Sequence, residues 1–323
     1  MSTSMLPIPE SCAITFKGHS APVNYVTFNS TGEYALSGSH DRTIKLWNPE
    51  AGFSIKTYEG HGKEVLGICV CVPYPSHYGR IITPSLTNTA IYTSAHDNSR
   101  FASCGSDKQV FLWDVGTGRT IRRFDGHGQR INAVAFNAEG TVLDRMIQRS
   151  NNRFPIQILE EAKDGVMSLQ VSQYEILTGS VDGNIRVYDL RMGSLTVDLI
   201  SRGYNPITSV RFSGDGNCIL VSSLDGVIRL MDKDNGGLLN SFRGHQNTTY
   251  KITSCLSTDD SQVISGSEDG NIYFWDLVEA TLLTKVKAHD KIVTSVAYHP
   301  RKPLVISTSV DGTAKVWKPT SIG

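Results

Sequence analysis

Six times along this chain a run of small residues leads to an aspartate, and a large side chain follows six positions later. The segments read SGSHDRTIKLW (37–47), SCGSDKQVFLW (103–113), TGSVDGNIRVY (178–188), SSLDGVIRLM (222–231), SGSEDGNIYFW (265–275) and STSVDGTAKVW (307–317). Only the fourth lacks an aromatic end, with Met231 in its place. The last three intervals between segment ends are 43, 44 and 42 residues. A four-stranded propeller blade needs a repeat of that length, because one such unit cannot bury its apolar face and must stack on neighbours.

Between the segments, stretches such as Val23–Phe28 and Val293–Tyr298 alternate apolar and polar residues with the period of two of half-buried strands. A Gly-His or Ala-His pair precedes several segments, at 18–19, 60–61, 126–127, 244–245 and 288–289. The chain stops six residues after Trp317, which leaves the last blade short of its outer strand. Residues 12–17 can supply that strand and close the ring against 289–318, leaving 1–10 as an N-terminal tail and 11–323 as a single propeller.

Two places break the period. His61 lies 52 residues before Trp113, against 28 between His19 and Trp47, and the surplus falls at 71–93. Loop closure entropy grows slowly, so this insertion is tolerable as a binding loop; a translated intron is the other reading. The interval from Trp113 to Tyr188 is 75 residues, too short for two repeats, and the missing segment falls near 143–144. Loss of core side chains there would rival the stability of an ordinary domain, which suggests an error in the gene model.

Four sets invite a catalytic reading: His19, Ser37, Asp41 and Trp47; His61, Ser103, Asp107 and Trp113; His245, Ser265, Asp269 and Trp275; His289, Ser307, Asp311 and Trp317. An enzyme needs one such site rather than one per repeat. The recurring sets resemble those of WD repeats, a resemblance that implies buried structural hydrogen-bond chains from Asp through His and Ser to the indole N–H. The expected fold is therefore all-β: a seven-bladed WD-repeat β-propeller, blade three defective and blade two carrying an insertion. No glycine loop for phosphate, no cluster of metal ligands and no paired acids stand in the sequence, so no catalytic residue, metal or cofactor is expected.

Lys+Arg and Asp+Glu both number 31, and the net charge is zero. Phosphate-dominated binding calls for a basic excess, so direct nucleic-acid binding is not expected. Residues 1–17 lack the apolar core of a secretory signal, and no apolar run is long enough for a membrane span. The six cysteines, at 12, 69, 71, 104, 218 and 255, show no paired spacing. A protein of the cytoplasm and nucleus, without membrane contact, is the expectation.

Several blocks are more particular than the repeat. Leu159–Val166, Glu175–Gly183, Tyr188–Gly193, Leu220–Asp225, Leu230–Asp234 and Phe274–Glu279 resemble the mitogen-activated protein kinase organizer family (WD-repeat protein 83-like). That resemblance implies a non-catalytic adaptor, monomeric within larger complexes, whose partners are kinase-cascade components or spliceosomal proteins active in pre-mRNA splicing. Tyr188-Asp189-Leu190-Arg191 also resembles the box through which some propellers dock a cullin ligase adaptor, which makes a ubiquitin-ligase substrate receptor the alternative. The position before each turn aspartate (His40, Ser106, Val181, Leu224, Glu268, Val310) should lie on one rim, and Asn247, Tyr250 and Lys251 in a lengthened loop should be accessible there. Of these, His40, Glu268, Asn247, Tyr250 and Lys251 are the candidate contacts for a protein partner.

Overall fold

The computed structural model describes residues 6–70, 98–136, 142–143, 162–172, 174–189, 191, 194–200 and 205–320. They form a β-propeller with no helix among them. Blade one is β2 (Val23–Phe28), β3 (Ala35–Ser39), β4 (Thr43–Trp47) and β5 (Ser54–Glu59). Blade two is β6 (Val65–Val70), β7 (Arg100–Gly105), β8 (Val110–Asp114) and β9 (Thr120–Phe124). After the remnant strands β10 (Ala135–Phe136) and β11 (Val142–Leu143) comes blade four: β12 (Val166–Val171), β13 (Glu175–Ser180), β14 (Asn184–Asp189) and β15 (Ser194–Ile200). Blade five is β16 (Ile207–Phe212), β17 (Cys218–Ser223), β18 (Val227–Asp232) and β19 (Leu238–Phe242). Blade six is β20 (Ser254–Leu256), β21 (Gln262–Gly266), β22 (Asn271–Asp276) and β23 (Leu282–Lys287). The last blade joins β24 (Val293–Tyr298), β25 (Val305–Ser309) and β26 (Ala314–Lys318) to β1 (Ser11–Phe16), with Ser11 opposite Lys318 and Phe16 opposite Ala314.

The expected count of seven blades is thus corrected to six four-stranded blades among the described residues. At the third position only Ala135 and Phe136 pair, with Leu143 and Val142. The b and c strands of a blade need the small-residue–Asp–aromatic segment, and the sequence lacks it there. The inner strand keeps its place, with β10 packed between β6 and β12. The other inner strands adjoin in order, from β12 to β16, β20, β24, β2 and β6. The insertion 71–93 and residue 144 at the sequence gap lie outside the described residues.

The small residues of the repeat have a packing cause. Strands β3, β21 and β25 are buried along their whole length, sandwiched between neighbouring blades. A Cβ on Gly38 would stand 2.7 Å from Val65 Cγ1, and one on Gly179 2.5 Å from Ile207 Cγ2. In blades one, four and six the second strand is therefore pared down to glycine where the next blade's inner strand inserts a branched side chain. The cores run between blades: Leu36, Ile44 and Tyr58 of blade one pack with Ile68, Phe101 and Trp113 of blade two. Outer strands are the least buried, and β5 is exposed along most of its length.

Candidate interaction face

In every complete blade the turn from the second to the third strand is closed by its aspartate. Asp41 Oδ1 accepts the Thr43 N–H at 2.9 Å and the Thr43 hydroxyl at 2.6 Å. Asp182, Asp225, Asp269 and Asp311 accept the N–H two residues on at 3.0, 3.1, 3.0 and 2.8 Å, and Asp107 does so from Gln109 at 3.3 Å. Such Asx turns fix the loop without a neighbour's help. The residue just before each aspartate is anchored as well. The N–H groups of His40, Ser106, Val181, Leu224, Glu268 and Val310 donate to Pro22, Glu64, Gly165, Pro206, Gln246 and Ile292 carbonyls at 2.9–3.1 Å. Six equivalent positions therefore stand on one face, each held by a backbone bond, and only valine (Val181 and Val310) occurs at two of them.

The second carboxylate oxygen of the aspartate finds its partner in one of two ways. In blades one and two and in the last blade a histidine from the preceding loop supplies it. His19 Nδ1 lies 2.8 Å from Asp41 Oδ2 and its Nε2 2.7 Å from Ser37 Oγ, which also accepts the Trp47 indole N–H at 2.7 Å. His61, Ser103, Asp107 and Trp113 repeat this at 2.8, 2.7 and 2.8 Å; His289, Ser307, Asp311 and Trp317 at 2.9, 2.8 and 2.9 Å. Burial pushes the Asp41 carboxyl up, but the hydrogen bonds from His19 and Thr43 outweigh it and hold the group well below the usual carboxylate range. Each serine is fully buried, with its oxygen shared between imidazole and indole, so it has no room to attack a substrate.

Blades four and five use a residue four positions after the aspartate. Arg186 Nη2 donates to Asp182 Oδ2 at 3.0 Å, and Arg229 Nη2 to Asp225 Oδ2 at 2.5 Å. Blade six has the histidine in sequence yet takes the second route: the Tyr273 hydroxyl donates to Asp269 Oδ2 at 2.8 Å and Asn271 Nδ2 at 2.7 Å. Ser265 turns to the Gly266 carbonyl, and the Trp275 indole to the Arg243 carbonyl. The fourth expected set therefore does not form its chain. His245 is buried with both ring nitrogens lacking a hydrogen-bond partner among the described residues, and burial brings it down to about 4.

The rim candidates divide. His40 is exposed, beside Arg42, Lys63, Glu64 and Ser106 in a cleft between blades one and two. Tyr250 is exposed. Asn247, expected to be accessible, is fully buried and donates to Thr208 Oγ1 at 3.3 Å. Glu268 is occupied within the chain: its carboxylate accepts the N–H groups of Thr248, Thr249 and Tyr250 at 2.8, 2.6 and 3.0 Å. The two extra residues of this loop are paid out into a tight bend around that carboxylate, and Lys251 turns inward with its Nζ donating to the Asn132 carbonyl at 2.8 Å. What the sequence offered as five contacts is two accessible side chains and three residues that shape or line the interior.

The family model described as WD domain, G-beta repeat matches residues 10–48, 52–114, 153–189, 197–232, 236–276 and 280–318. WD repeat domain-containing protein 83 of Rattus norvegicus is 43% identical, covering 92% of this chain and 88% of its own. The protein of that name from Homo sapiens is 42% identical over 96% and 93%, and the Dictyostelium discoideum homolog 35% identical over 95% and 98%. The chain belongs to the WD repeat domain-containing protein 83 family. In this family member the expected ligase box is partly buried and engaged with itself. Tyr188 and Asp189 are buried, and Asp189 accepts Arg191 Nε at 3.1 Å and Nη2 at 2.5 Å. The Arg191 guanidinium also lies over the Tyr174 ring, 4.8 Å from its centroid.

Proposed function

We propose that this WD repeat domain-containing protein 83 family member is a non-catalytic scaffold that binds protein partners on the face carrying its second-to-third-strand turns. One observation carries the reading: six backbone-anchored turns present a varied set of side chains, with valine alone used twice, on a single rigid ring. Recognition residues concentrate on loops held by a rigid frame. An exposed tyrosine such as Tyr250, backed by a loop that Glu268 locks, loses little entropy when it anchors a partner. The resemblance implies two roles, kinase-cascade scaffolding and spliceosome assembly, with residence in cytoplasm and nucleus. A zero net charge favours protein rather than RNA contacts in either.

The test is purification of the tagged native protein with mass spectrometry of what accompanies it, beside a His40→Ala, Tyr250→Ala double variant. Partners recovered with the wild type and lost with the variant support the face; splicing proteins or mitogen-activated kinases among them select the role. Partners retained by the variant contradict the face, and a chain recovered alone contradicts the scaffold. The cullin-receptor alternative predicts a ligase adaptor that disappears with Arg191→Ala. Because Asp189 already holds that guanidinium, the geometry favours it less.

A further inference from the structure

Among the described residues, the channel at the middle of the ring holds positive charge with no carboxylate lining it. One cavity there is lined by Tyr25 of β2, Asn132 before β10, Ser168 of β12, Ser209 and Arg211 of β16, and Lys251 before β20. Arg211 Nη2 donates to the Tyr25 hydroxyl at 3.4 Å, a long contact, and Lys251 Nζ to the Asn132 carbonyl. Neither cation forms an ion pair among the described residues. Ser168 and Ser209 each accept a backbone N–H, from Val210 and Ser254, and each keeps its own hydroxyl proton to donate.

Two cations and two hydroxyl donors thus line this cavity. Charges drawn out of bulk water without a counter-charge are costly, and the cost falls when an anion sits between them. A guanidinium is matched to a carboxylate because its planar fork meets both oxygens at once. The local field agrees: burial lowers Lys251 to about 8, and the charges of Arg130 and Arg211 add to the effect. An arginine cannot escape the same pressure by losing its proton. We propose that this cavity is a carboxylate site, in which Arg211 takes the two oxygens, Lys251 supplies the second charge, and the Ser168 and Ser209 hydroxyls complete the shell. The inference stands apart from the scaffold reading, since a channel anion needs no partner on the face.

The test is thermal unfolding of the full chain as sodium acetate replaces sodium chloride at constant ionic strength, repeated with a glutamate-rich peptide and with inorganic phosphate. Acetate should raise the Tm of the wild type. Lys251→Met should weaken that response about thirtyfold or more, as expected when one member of a partly buried charge cluster is removed. The same variant should unfold at a higher temperature than the wild type when no carboxylate is present. Arg211→Gln should act likewise on acetate; if that variant does not fold, Lys251→Met decides. A peptide that binds more tightly than acetate, and less tightly once Tyr250 is replaced by Ala, places the carboxylate on a partner chain. Equal binding places it on a small acid. No response to acetate or peptide, equal responses in wild type and variant, or a preference for phosphate would overturn the assignment.

Discussion

Two histidines in equivalent positions of this ring have opposite energetic roles, and the difference is measurable. His289 bridges Asp311 and Ser307. Removing it with His289→Ala strands a carboxylate and a hydroxyl and opens a small void, at a cost of about 3 kcal/mol. His245 makes no hydrogen bond, so His245→Met should change stability by less than about 1 kcal/mol and can raise it, because it removes two buried unpaired nitrogens. Urea midpoints of the two variants should separate widely; equal losses would contradict the difference in bonding. A pH effect accompanies it. Burial holds His245 at about 4 in the fold, against an ordinary 6.5. The unfolded chain therefore takes up this proton first, and stability declines as pH falls from about 6.5 to about 4, by up to about 3 kcal/mol, then flattens. His289 is also lowered by burial and adds to the decline, so His245→Met should shrink it without abolishing it. An unchanged pH dependence in that variant would place the proton elsewhere.

The turns and closing strands show what the repeat grammar encodes and where it is silent. At the residue after the turn aspartate, four blades have glycine with φ between 69° and 84°, while Arg42 and Lys108 adopt the same left-handed backbone at 68° and 66°. The strain of that conformation, about 1–2 kcal/mol for a residue with a side chain, is tolerated twice. Space sets the rest of the cost. A Cβ on Gly270 would lie 2.5 Å from the His289 carbonyl oxygen, whereas on Gly226 its nearest neighbour is 3.7 Å away. Gly226→Ala should cost about 1 kcal/mol and Gly270→Ala clearly more, as thermal unfolding can check. At ring closure, Phe16 is buried and stacks on Trp47 with ring centroids 4.7 Å apart, so β1 completes the last blade and seals the first. Phe16→Ala should cost about 3–5 kcal/mol, and a loss below about 1 kcal/mol would show that the closing strand contributes little. The pairing of aspartate with Arg186, Arg229 or Tyr273 four positions on was not read from the sequence, and in blade six it displaces a long-range partner. The histidine and the strand residue compete for one carboxylate, and spacing alone does not say which wins. The same holds for Glu268: its carboxylate caps a loop that comes near only after folding, so the position that marks a rim elsewhere does not mark a free side chain here.

Taken as one body, the molecule follows its repeats where they are intact and departs where they are not. The period, the small second strands and the turn aspartates identify blades because each expresses a packing need that recurs between neighbours. The blade count was less legible, since the inner strand of the third position survives in sequence and in space while its partner strands lack their segment. Function was legible only as a class: a rigid ring with varied turns suits protein binding, and nothing in the repeat names a partner. The scaffold account requires that partners meet one particular face. Cross-linking mass spectrometry of native complexes with a lysine-reactive reagent separates the faces. Lys63, Lys108 and Lys291 lie on the second-to-third-strand turns or on the loops that lead into the blades, while Lys233 and Lys302 lie on turns at the opposite end. Cross-links to partner proteins concentrated on Lys63, Lys108 and Lys291 are the predicted result. Cross-links confined to Lys233 and Lys302 would contradict it.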